Sequence, residues 1–181
     1  MTVDPTLVEV VRYDRWANAK VFEICLGVDR ARLDEPAAGT YGTILRSLVH
    51  MVSVEEVFAG LIDGRDRPPH PAAAARDAFA RLMVERGVAD GYFKHELGWY
   101  GERVVSIADE WEALLSATDA GDLEKRLFVP WFGVELSLRQ VILQATGHAA
   151  HHRSQVLSTL GDRGVEVPDI DYVIMLAMES K

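Results

Sequence analysis

The chain has 181 residues, 49% apolar and 26% charged, enough to enclose one hydrophobic core and unlike disordered or fibrous sequences. Its formal net charge is −9, with acidic residues spread along the chain, so no basic footprint for nucleic-acid phosphates is present. No apolar run approaches the roughly 20 residues that span a bilayer.

The start, MTVDPTLVEVVRYDRW, has neither the basic opening nor the apolar stretch of a secretory signal. The single cysteine, Cys25, cannot form an internal disulfide and suits a reducing compartment. The expectation is a cytoplasmic protein with no nucleic acid and no membrane partner.

Helix signals dominate. Asp4-Pro5 combines an N-cap carboxylate with a proline at the first helical position, where the missing N–H costs nothing. Leu7, Val8, Val11, Trp16, Val21, Phe22 and Cys25 then recur at helical spacing as far as Gly27. A second helix, from near Thr40 or Thr43 to about Ile62, is apolar on most sides, as a well-buried helix should be. It carries His50, and its Glu55-Glu56 pair reads as solvent-facing, as does Asp109-Glu110 further on. The prolines and glycine of DGRDRPPHP, Asp63 to Pro71, break the chain and leave His70 solvated.

A shorter helix is expected over about Ala72 to Arg86, then a long one over about Phe93 to Ala117 whose first turns Gly98 and Gly101 weaken. TDAGD makes a turn, and FVPWFGVEL forms either a short hairpin or an extended connection. The last long helix covers Leu136 to Leu160. GDRGVEVP is a loop, and DIDYVIMLAM adds a terminal helical turn or two. The sum is one all-α domain over residues 1–181, an antiparallel four-helix bundle with additional short helices and one irregular or hairpin connection.

His148 and His152 lie four residues apart in that last helix, which puts both imidazoles on one face about one turn apart. One stripe reads Leu138, Val141, Ala145, His148, His152, Val156; another reads Gln140, Gln144, Gly147, His151, Ser154, Ser158. The pair therefore continues the core-facing side and His151 the polar side. Two ligands on one helix and a third from elsewhere suit a three-histidine metal site with an open coordination position. Pattern alone leaves hydrogen-bonded core histidines equally open. Ala149 stands where an HExxH motif has its glutamate, so that class of general base is missing. His50 by itself reads as a core histidine, and His95 is a weak fourth candidate without a partner in sequence.

Three segments resemble the DinB/YfiT-like family of small metalloenzymes, which is not the DNA polymerase of the same name. They are YDRWANAKVFE from Tyr13 to Glu23, LVHMVSVEEVF containing His50, and GHAAHHRSQVLSTLGDRGVEVPDIDYV with its His-x-x-x-His-Arg-small-Gln pattern. The region from about Asp63 to Gly98 does not match and reads as an insertion shaping the pocket mouth. The resemblance implies a divalent metal held by His50, His148 and His152 near one end of the bundle, and a homodimer. It raises His50 from core residue to ligand. Similar proteins include bacillithiol-using S-transferases and the metal domain of mycothiol-dependent maleylpyruvate isomerase. The implied chemistry is activation of a low-molecular-weight thiol or of water, by zinc, nickel, iron or copper alike. Arg153 and Gln155 are read as substrate-binding or packing residues, and Asp14 and Asn18 as supports for the ligands or packing partners.

Overall fold

A helix leaves its first N–H groups without partners, and two of the long helices here begin where a side chain supplies them. In the computed structural model, which describes residues 4–63, 95–129 and 132–180, Asp4 Oδ1 accepts from the N–H groups of Thr6 and Leu7 at 3.1 Å. Pro5 follows at the first helical position, and α1 spans Pro5–Leu26. The last long helix begins with a reciprocal pair. The Gln140 N–H donates to Ser137 Oγ at 3.3 Å, and the Ser137 N–H donates to Gln140 Oε1 at 2.8 Å.

After α1 come a one-turn α2, Arg30–Leu33, and a two-residue antiparallel pair, β1 Pro36–Ala37 with β2 Gly42–Thr43. The buried α3, Ile44–Asp63, leads to the undescribed residues, where the expected helix over 72–86 and His70 fall. α4 is Leu97–Ala117, beginning later than sequence spacing suggests. FVPWFGVEL resolves as a hairpin. β3, Arg126–Val129, runs antiparallel to β4, Val134–Ser137, with Arg126 opposite Ser137 and Val129 opposite Val134. α5, Leu138–Asp162, and the short α6, Tyr172–Glu179, complete the chain. Among the described residues no helix is long and apolar enough to cross a membrane.

The four long helices form a bundle in which α1 and α3 each pack against both α4 and α5. Consecutive helices α1 and α3 are thus diagonal rather than adjacent. Two apolar clusters reveal direction. Leu7 and Val11 of α1 join Phe58 and Leu61 of α3, Ile107 and Trp111 of α4, and Val141 and Ala145 of α5. Val21 and Phe22 join Ile44 and Leu48, Tyr100 and Val104, and Val156 and Leu160 in the other. So α1 and α5 run one way, α3 and α4 the other. Gly101 lies at the α1–α4 contact, where a Cβ would stand 3.1 Å from Phe22 Cβ. Of the two glycines that weaken the helix in sequence, Gly101 is the one that lets the two backbones approach, whereas a Cβ at Gly98 would meet nothing within 4 Å.

Between the clusters lies a polar layer. Arg153 of α5 donates to Asp14 Oδ1 and, at 2.6 Å, to Asn18 Oδ1, both on α1. Asn18 Nδ2 donates to Asp14 Oδ2 at 3.0 Å and to Glu55 Oε1 of α3 at 3.1 Å. Glu55 is 0% exposed, which overturns its expected solvent-facing position. The error has a simple cause: in a helix apolar nearly all round, periodicity cannot say which face is outside. Glu56 sits nearer the rim, 3.0 Å from Arg103, and Asp109 and Glu110 do face solvent.

Burial pushes the Glu55 carboxyl well above its ordinary range, and the adjacent Asp14 adds to this. Burial also pushes Asp14 upward, but the Arg153 guanidinium and the Asn18 amide oppose it. The layer therefore sets the ion pair of Asp14 with Arg153 beside a buried carboxyl, Glu55, that burial and Asp14 bias toward its neutral form. Removing one partner of a buried pair strands the other charge, so Arg153→Leu should destabilise the fold by about 3–5 kcal/mol. Glu55→Gln, which keeps the shape and the neutral state, should stay within about 1 kcal/mol of the parent at pH 7. Urea unfolding of both variants checks the pair, and equal losses would contradict a protonated Glu55.

Candidate metal centre

His50 lies on α3, and His148 and His152 lie one turn apart on α5, where those two helices pack. The apolar stripe of α5 reaches its polar interruption at this point. Leu138, Val141, Ala145 and Val156 are buried, His152 is 7% exposed and His148 is half-buried. His151 and the other members of the polar stripe are exposed, as spacing predicts. One nitrogen from each of His50, His148 and His152 lies within 4.8 Å of the others, and among the described residues these three form the group able to hold a metal ion. The imidazole centroids are 4.5–5.0 Å apart.

His148 Nε2 and His152 Nε2 face each other at 3.1 Å. Two bare lone pairs do not approach so closely unless a proton or a cation lies between them. Imidazole nitrogens at about 2.0–2.1 Å from one tetrahedral zinc stand about 3.3–3.4 Å apart, close to this spacing. His50 Nδ1 and His148 Nδ1 are buried without a hydrogen-bond partner among the described residues. Leaving a ring nitrogen so costs about 1–3 kcal/mol, and at His148 an ion bound through Nε2 would not relieve it. The donor set fits a divalent ion with an affinity for imidazole.

The electrostatics agree. Burial, followed by the neighbouring His152, pushes His50 down to about 4. Burial, then His152, His50 and His151, pushes His148 down to about 3. His152 is lowered mainly by burial, with the hydrogen bond it donates to Gln155 Oε1 opposing and His151 adding. All three rings are neutral at pH 7 and offer lone pairs.

Two residues of the site escaped sequence reading. Tyr41 stacks on His50 with centroids 4.1 Å apart and planes 7° from parallel, and it meets His152 edge-on at 6.5 Å. Tyr41 is 40% exposed, so it stands at the surface beside His50. Gly39 (φ 80°) and Gly42 (φ 96°) turn the chain around it in conformations other residues resist. Ser47 anchors it, accepting from the Tyr41 N–H at 2.9 Å and donating to the Thr43 carbonyl at 3.1 Å. The signal in sequence was the spacing Gly-Thr-Tyr-Gly just before α3.

Of the other candidates, His95 is exposed and stacks on Trp99 at 3.8 Å, outside the triad. Arg153 turns out to be a helix-to-helix contact with Asp14 and Asn18, and Gln155 is bonded to His152.

The model of the DinB family matches residues 1–181 of the chain. Among solved structures the chain is similar to YfiT from Bacillus subtilis, described as a probable metal-dependent hydrolase with an unusual four-helix bundle topology. The TM-score is 0.63 and the identity 14%, over 92% of each chain, a likeness of fold. No curated protein matches.

Histidines that stay neutral in the fold but take up protons when unfolded make the metal-free protein acid-sensitive. Below the ordinary value of 6.5 the unfolded state binds more protons, so stability falls as pH falls, continuing to the folded values of about 4 and 3. Unfolding curves with chelator present, from pH 7.5 to 4, should show this slope, and His148→Phe should flatten it. An unchanged slope in the variant would mean that other groups cause it.

Proposed function

We propose that this chain, which belongs to the DinB family, is a metal-dependent enzyme in which His50, His148 and His152 hold a divalent ion. The observation that carries this reading is the convergence of three neutral imidazoles from α3 and α5 at a partly exposed position. A divalent ion held only by neutral ligands acts as a strong Lewis acid and acidifies a bound water or thiol toward neutral pH.

The residues around the triad suit a small-molecule substrate. Tyr41 offers an exposed aromatic face beside the ligands, on which an apolar or planar group can lie. The half-buried His50 and His148 leave one side of the triad reachable, while α3 and α5 exclude water from the other. Gln155 holds the far nitrogen of His152 at 2.9 Å, keeping the ring in place.

Hydrolysis is supported by the description of YfiT as a probable metal-dependent hydrolase, and thiol-dependent S-transfer by the family resemblance. Both use the same three side chains and differ in the nucleophile that enters. A metal-binding module without catalysis is the competing reading, and it predicts a centre closed to added thiol or water.

Elemental analysis decides first, on protein purified without chelator or nickel resin. The parent should carry near-stoichiometric metal, and His148→Ala should lose nearly all of it. Addition of a low-molecular-weight thiol to a cobalt-substituted sample should then shift the visible spectrum if the coordination sphere is open. Metal absent from the parent even after reconstitution would overturn the reading.

A further inference from the structure

His151 is exposed and stands apart from the triad, yet its ring is tied to it. Its centroid lies 5.2 Å from that of His152, and Gln155, one turn further along α5, touches both. Gln155 Oε1 is 2.9 Å from His152 Nδ1, and Gln155 Nε2 is 3.0 Å from His151 Nε2. An amide oxygen only accepts and an amide NH2 only donates. With Oε1 toward it, His152 Nδ1 must carry its ring proton. With NH2 toward it, His151 Nε2 must be bare, so the proton of the neutral His151 ring sits on Nδ1.

The consequence reaches the centre. A neutral imidazole has one N–H and one lone pair. Placing the His152 proton on Nδ1 leaves the lone pair on Nε2, the atom that faces His148 Nε2 at 3.1 Å. The opposite amide orientation would present NH2 to His152 Nδ1, drive the ring proton to Nε2 and remove that lone pair from the triad. Nothing inside Gln155 prefers one orientation over the other; in the fold Oε1 lies on His152 and the NH2 on His151.

We propose that Gln155 is a positioning residue that fixes His152 in its Nδ1–H tautomer so that Nε2 serves as the ligand. The assignment rests on the metal-site reading above and adds to it one residue outside the ligand set. It also accounts for a pattern in sequence: ligand, neighbouring histidine and glutamine fall at His152, His151 and Gln155, so one turn of one helix carries the whole device.

Long-range 1H–15N spectra of the imidazoles, recorded on metal-free protein, read the tautomer directly, and zinc titration reads its effect. In the parent, His152 should be the Nδ1–H form. Gln155→Leu, similar in bulk but unable to accept, should shift His152 toward Nε2–H and weaken zinc binding about 10–100-fold. Gln155→Glu keeps an acceptor for Nδ1–H, so it should preserve the tautomer and bind zinc within a few-fold of the parent. His151→Ala should weaken zinc less than Gln155→Leu does. A residue with only a packing role would be served by leucine and would leave the spectra unmoved.

The proposal is overturned if the parent binds zinc and Gln155→Leu binds it as tightly, or if His152 is Nε2–H in the parent. A parent that binds no zinc overturns the metal reading itself, an outcome visible without any variant. The His152 spectrum then still reports whether Gln155 sets the tautomer.

Discussion

The ion pair between Arg153 and Asp14, with Asn18 carrying it across to Glu55, is the constraint on which the rest of the bundle depends. Apolar clusters on either side would tolerate many registers, because dispersion and burial are not directional. The polar layer tolerates few. Asn18 spends both donor hydrogens and its acceptor within the network, so a slip of α1, α3 or α5 would strand a buried charge or amide. It also links α1 to α3 through the core, although those helices are diagonal and share little direct packing.

That layer adjoins the histidines in the chain. Arg153 follows His152, and Glu55 lies five residues after His50. Gripping Arg153 from α1 sets the rotation of α5 about its axis, and hence the direction in which His148 and His152 project. Anchoring Glu55 does the same for α3. The triad itself contributes little cohesion without an ion, since two of its crowded imidazoles, His50 and His148, have an unpartnered nitrogen to satisfy. Precision at the site is therefore imported from groups that contact no ligand ring, with Gln155 adding the last local restraint.

Much of this was legible in the sequence, for reasons that are local. The cap at Asp4, the i, i+4 histidines and the two stripes of α5 depend on helix geometry alone, and each reappears in the structure. The hairpin from FVPWFGVEL was one of two alternatives left open, and the structure chooses it. What failed or was missing depends on how distant elements meet. Glu55 could not be assigned to the core because α3 is apolar nearly all round, so its polar residues mark no outer face. Tyr41 reaches His50 only through a turn built on two positive-φ glycines, and no periodicity reports that. The diagonal order of α1 and α3 likewise has no sequence period to reveal it.

The charge balance joins these observations. Asp14 and Arg153 cancel, and burial and Asp14 bias Glu55 toward its neutral form. The polar layer thus stiffens the core without adding net charge near the triad. None of the three histidines carries charge at neutral pH either, and no carboxylate belongs to the set. A carboxylate ligand would soften the Lewis acidity of a bound ion by partial neutralisation, whereas three neutral imidazoles would leave a dication's charge intact. An ionised Glu55 would undo part of that advantage by placing a second negative charge in the core beside Asp14. The neutrality of one buried carboxyl is therefore tied both to the stability of the bundle and to the electrostatic character of the centre it supports.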